Sequence, residues 1–129
     1  MKTLTFKNGS LAIKSLKKET RLYFVDATAA RNPRVRLAIE AEELPLLIQA
    51  LEAGCSQPIK KEEKAYCEEI STYRNEVERS LSISRNFSLE NAVDLVLTVY
   101  TGDDYDDNWM LLTPKKLAYL IGLLYGYSN

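Results

Sequence analysis

DLVLTVYTGDDYDDNWMLLTPKKLAYLIGLLYGY, residues 94–127, matches RLYFVDATAARNPRVRLAIEAEELPLLIQALEAG, residues 21–54, without a gap at an offset of 73. Six of the 34 aligned pairs are identical, and they fall where a core is expected. Leu44, Leu47, Ile48 and Leu51 recur at i, i+3, i+4 and i+7, the spacing of a helix that lays one face on a core, and Leu117, Leu120, Ile121 and Leu124 repeat them. Upstream, Leu22 matches Leu95, Phe24 matches Leu97, Thr28 matches Thr101, Leu37 matches Met110 and Ile39 matches Leu112. Both helices start soon after a strand. Thr113 can cap the second and Pro114 suits its first position, where a missing N–H costs little; Pro45 sits in the first turn of the other, and Gly54 marks its end.

Working back toward the N-terminus, apolar residues alternate with period two: Leu4 and Phe6, Leu11 and Ile13, Leu22 and Phe24, then Val35, Leu37 and Ile39. That period predicts four antiparallel strands in a meander. Asn8-Gly9 supplies the first hairpin turn, and 17–19 and 29–33 supply the others. In the second copy SLSISRNF gives one alternating strand and SLENA a short partner. Between the copies, Ile59, Tyr66, Ile70, Tyr73 and Val77 share a helical face, so 58–77 is expected as a helix, with a strand in its middle as the alternative. The expected fold is α+β: two antiparallel sheets, each followed by a helix, related by a pseudo-twofold internal repeat. Its parts are a first unit at 1–54, a helical connector at 55–79 and a second unit at 80–129, forming one compact body.

The sequence holds 129 residues, 46% hydrophobic and 27% charged, with no apolar stretch near the roughly 18 residues that span a membrane. Its start, MKTLTFKNGSLAIK, has no apolar run ahead of a small-residue cleavage site, so a cytoplasmic protein with reduced thiols at Cys55 and Cys67 is expected. Histidine is absent. That removes Ser/His/Asp and Cys/His machinery and zinc-ligand spacing, and no cofactor or metal is expected. A carboxylate, Lys or Tyr mechanism stays open to an enzyme, but nothing nominates one.

The net charge of −1 conceals a division. Residues 1–36 carry nine Lys/Arg against two acidic residues, while the remainder carries eight against sixteen. Alternation places Thr3, Thr5, Lys7, Ala12, Lys14, Arg21, Tyr23, Arg34 and Arg36 on the sheet face away from the helix. A basic face with an aromatic ring suits a single strand, since cations follow phosphates and rings stack on bases; the alternative is a solvated face with Tyr23 supporting the strand. In the second copy Trp109 replaces Arg36, while Asp104 and Asp107 replace Arg31 and Arg34. The turn TGDDYDDNW gathers Asp103, Asp104, Asp106 and Asp107 but lacks the glycine and closing glutamate of a calcium loop.

The junctions RLAIEAEELPLLIQAL and NWMLLTPKKLAYLIGLL resemble the final strand entering the helix in the single-stranded nucleic-acid-binding superfamily that includes the Whirly, Pur-alpha and transcriptional positive cofactor proteins. The resemblance spans about two-thirds of the chain and carries no diagnostic motif. It implies single-stranded DNA or RNA as partner and a regulatory role, with Lys7, Lys14, Arg21, Tyr23, Arg34 and Arg36 as binding positions. It also implies paired units, within one chain or in a homodimer. The acidic second unit departs from that family's basic character. The competing expectation is a protein-interaction module, such as an antagonist from a mobile element. It would engage a basic protein through Asp103, Asp104, Asp106, Asp107 and Trp109. The last helix is apolar around more than one face, so a further surface, in the first unit or another copy, is expected to cover it.

Overall fold

A computed structural model describes residues 1–29, 33–56, 67–74, 77–86, 88–101 and 103–128. The first unit runs β1 (Lys2–Phe6), β2 (Gly9–Ser15), β3 (Glu19–Asp26), β4 (Arg34–Glu40) and α1 (Leu44–Ser56). The second runs β5 (Cys67–Arg74), β6 (Val77–Arg85), β7 (Val93–Thr101), β8 (Asp104–Leu112) and α2 (Pro114–Tyr127). The strands form two four-stranded antiparallel meanders, β1-β2-β3-β4 and β5-β6-β7-β8.

The repeat holds at the level of register. Leu22 pairs with Leu37 and Tyr23 with Arg36 in the first sheet; at the same offset, Leu95 pairs with Met110 and Val96 with Trp109 in the second. Further upstream the offset shrinks. Leu11, opposite Phe24, corresponds to Leu81, opposite Leu97 and 70 residues on; Leu4, opposite Leu11, corresponds to Ile70, opposite Leu81 and only 66 on. Unequal connections consume the difference, so a gapless match sees only the last two strands and the helix of each copy.

Four expectations are corrected. The stretch Cys67–Arg74, expected within a helix with a strand as the alternative, takes the alternative: it is strand β5, paired along its length with β6. Its Ile, Thr and Tyr residues suit a pleated backbone, and pairing with β6 outweighs the helical spacing of Ile70 and Tyr73, while Val77 opens β6 itself. The second sheet therefore includes residues of the expected connector; residues 57–66 lie outside the described residues, as do the side chains of Cys55 and Cys67. The stretch SLENA is a turn, not a strand. Asn86 Oδ1 accepts from the Ser88 and Leu89 N–H groups, and Asn91 takes φ 59°, a conformation asparagine tolerates.

The remaining two corrections concern ends of elements. Helix α1 continues two residues past Gly54, to Ser56. The first hairpin turns on Lys7-Asn8, with Gly9 already in β2 opposite Phe6. Gly9 is demanded by crowding: a Cβ there would lie 1.6 Å from the Val25 carbonyl oxygen.

Inward-facing residues of both sheets and both helices form one continuous core, from Leu11, Phe24 and Leu37 through Leu47 and Leu51 to Leu81, Leu97, Met110 and Leu124. Helix α1 makes its closest approaches to α2 and to β5, β6 and β7 of the second sheet, while α2 lies on α1 and β8. The units thus cover each other. Ile121, Leu123 and Tyr127 pack against this shared core, so the first unit covers part of the wide apolar surface of α2, while Tyr119 and Tyr125 are exposed. The Tyr125 hydroxyl donates to Glu52 across the helix pair. Thr113 caps α2 as expected, with extended backbone, and its Oγ1 accepts from Lys116 N–H at 3.4 Å. No described helix is long and apolar enough to cross a membrane.

Candidate nucleic-acid interface

Among the described residues, no element covers the face of the first sheet that points away from the core. Cross-strand register arranges it in rows: Thr5, Ser10, Val25 and Arg34; then Thr3, Ala12, Tyr23 and Arg36; then Lys14, Arg21 and Ala38. Lys14, Arg34 and Arg36 are exposed, Arg21 and Tyr23 are half-buried, and of the residues in these rows only Ala38 is buried. Tyr23 stands at the middle of the sheet, with Ala12 on one side and Arg36 on the other. A small neighbour leaves the ring face approachable, and an Arg beside it adds a cation where a stacked base would carry its phosphate.

Arg21 is held in place. Its Nε donates to Glu19 Oε2 at 3.1 Å, and hydrogen bonds to Tyr23 and Glu19 push its pKa further up. Glu19 and Glu40 pair in the row beyond Lys14, Arg21 and Ala38, at the end of the sheet away from the β1–β2 turn, so Lys14 and Arg21 lie next to carboxylates while Arg36 and Arg34 lie toward the opposite end. Lys7, the sixth expected binding position, lies in the β1–β2 turn rather than in a row of the face.

The expected acidic partner site does not assemble as one cluster. The residues TGDDYDDNW are mostly strand: β8 starts at Asp104. Alternation therefore splits the aspartates between faces. Asp106 is buried on the core side opposite Val99, while Asp107 is exposed and accepts from Thr98 Oγ1 at 2.7 Å. Asp103, Asp104 and Trp109 are exposed, Trp109 at 44%.

Two features escaped the sequence. First, Tyr100 and Tyr105 face each other across β7 and β8 on the outer face that carries Trp109, and Tyr105 is 63% exposed. The signal was the alternation of Tyr105, Asp107 and Trp109, legible only once 104–112 is known to be a strand. Second, Asp26, 1% exposed, ties the two sheets together. Its Oδ2 accepts the Trp109 N–H at 2.8 Å, and its Oδ1 accepts from Asn8 Nδ2 at 3.0 Å, Thr28 N–H at 2.9 Å and Thr28 Oγ1 at 2.5 Å. Asn8 Nδ2 also donates to the Trp109 carbonyl at 2.7 Å. The two side chains thus do for the outer edge of β8 what a neighbouring strand would do. Burial pushes the Asp26 carboxyl up, but the hydrogen bonds outweigh it and hold the pKa below the ordinary aspartate value. The pattern Asp26-x-Thr28, a side chain bonding backbone two residues on, was the available signal.

No protein-family model matches this chain, and no curated protein does. Among solved structures it is similar to the crystal structure of WHY1 from Arabidopsis thaliana, with a TM-score of 0.68 and 10% sequence identity, over 98% of this chain and 81% of that one. At that identity the likeness is one of architecture: the chain has a Whirly-like α+β fold of two antiparallel sheets, each followed by a helix.

Proposed function

We propose that this protein binds single-stranded DNA or RNA on the open face of its first sheet, in a non-catalytic, regulatory role. One observation carries the proposal: among the described residues nothing covers the outer face of β1–β4, on which Tyr23 lies beside Arg36, with Arg34, Lys14 and Arg21 in the adjoining rows. The Whirly-like fold supports it, because a helix-backed meander of this kind frees one whole sheet surface. The exposed cations would follow the backbone while Tyr23 stacks on a base, a contact worth roughly 1–3 kcal/mol. An acidic net charge is no obstacle, since the acidic surface belongs mainly to the second unit.

Anisotropy titrations of labelled single-stranded DNA and RNA at several salt concentrations test this. Affinity is expected to fall steeply with salt, and Arg34→Ala with Arg36→Ala should reduce the slope of log K against log salt by roughly 1.4, at about 0.7 per single-strand phosphate contact. Tyr23→Ala should weaken binding with little change in that slope. Absence of binding near physiological salt, or binding unchanged in the double variant, overturns the assignment.

A further inference from the structure

Where the β1–β2 turn meets the outer edge of β8, a cleft of about 250 Å³ opens between the units, lined by residues that include Phe6, Lys7, Asn8, Trp109, Leu111 and Lys116. Its walls are mostly apolar, yet two ammonium groups border it. Lys116 Nζ sits 4.6 Å from the Phe6 ring centroid and donates to the Thr5 carbonyl at 2.7 Å, which fixes one cation at the wall. Lys7 is exposed in the turn. The indole of Trp109 is 44% exposed, while its backbone N–H and C=O are clamped by Asp26 and Asn8. A tryptophan held at its main chain and open at its ring is a preorganised stacking surface.

We infer that this cleft is a second nucleotide-binding site, in which one base of a single strand stacks on Trp109 while its phosphate is met by Lys7 and Lys116. The volume is below the roughly 300–1,000 Å³ of pockets that enclose drug-sized ligands, so it suits a single planar ring. The charge selects the ligand: an apolar slot with a flat aromatic wall and two cations matches a base joined to a phosphate. The same two lysines disfavour a basic peptide, the occupant expected of an acidic partner site. The inference deepens the single-strand reading and rests on it for the macromolecular ligand, but the cleft does not share residues with the Tyr23 face.

Trp109 is the chain's one tryptophan, so its fluorescence reports on the cleft alone. Two probes serve, thymidine monophosphate and a thymidine 20-mer, against the full chain and its Arg34→Ala/Arg36→Ala variant. Both should quench Trp109 in a saturable way, and thymidine monophosphate should do so equally in the double variant. Trp109→Ala, with its fold checked by circular dichroism, should bind a labelled 20-mer about tenfold more weakly, the size of one lost stack. Lys7→Glu should raise the concentration of thymidine monophosphate needed for half-quenching. Unquenched Trp109 with both probes, or a Trp109→Ala variant of unchanged affinity, overturns the cleft even if the Arg variants lose binding. Quenching by thymidine monophosphate in a chain that binds no 20-mer leaves the cleft standing and removes the sheet face.

Discussion

Single side chains in this protein do unusually separable things. Gly9 has no room for a methyl group, since the Val25 carbonyl occupies the Cβ position. Gly9→Ala is expected to cost roughly 2–4 kcal/mol, read as a lower urea midpoint at unchanged m-value. Asp26 works by charge and acceptance: it is buried, ionised and accepts four hydrogen bonds, one of them from the Trp109 N–H. Its pKa is depressed in the folded state, so the unfolded chain binds the proton more tightly. Its stabilising contribution is therefore complete above the ordinary aspartate pKa, near 3.9, and is lost as pH falls below that value toward the folded pKa. Asp26→Asn should lower stability at neutral pH and flatten its dependence on pH below the ordinary aspartate value, measured by urea unfolding at a series of acidic pH values. Asn108 is the opposite case. It is 0% exposed on the core face opposite Leu97, and among the described residues its amide N and O have no hydrogen-bond partner. The first copy places Val35 there. Asn108→Val should therefore raise stability by about 1 kcal/mol, since an unsatisfied buried amide costs roughly 1–3 kcal/mol.

At the scale of elements, the two helices are built to different standards. Helix α2 has a Thr113 cap and Pro114 in its first turn, yet it carries glycine at interior position 122 and again in its last turn, at Gly126. Neither glycine has anything within 4 Å of a Cβ placed on it, so no packing requires it. Gly122→Ala should stabilise the protein by about 0.5–1 kcal/mol, visible as a higher thermal midpoint; an unchanged or lower midpoint would show that Gly122 serves a contact beyond this chain. Strand β8 shows how an element changes the meaning of its residues. Read as a turn, its aspartates form a single acidic cluster. As a strand, it buries Asp106 and leaves Tyr105, Asp107 and Trp109 in file on the outer face.

Across the whole molecule, α1 belongs to the first unit by sequence but approaches the strands of the second, and one core runs through both. Removal of either half uncovers apolar surface on the other. The full chain should therefore unfold in one transition, with far-ultraviolet circular dichroism and Trp109 fluorescence coincident. A fragment ending at Ser56 should show no cooperative melt; a sigmoidal transition in that fragment would disprove the interlock. The same interlock creates the cleft at Trp109, since one wall comes from the β1–β2 turn and the other from β8 and the start of α2.

Period-two and helical spacing alone determined the first meander, the two helices and their core faces, because burial of an apolar face imposes those periods directly. The duplication was equally legible, and the basic rows of the first sheet followed from alternation, since side chains on a strand have only two directions to take. What tertiary structure decided lay where local spacing is degenerate. Ile70 and Tyr73 have the spacing of a helical face, and only the need of β6 for a partner made them strand. The position of Asp26 is likewise a tertiary fact, for its Trp109 partner is 83 residues away. No local pattern can announce that a buried carboxylate will serve as the missing neighbour of an edge strand. That energy arises only when the two sheets meet.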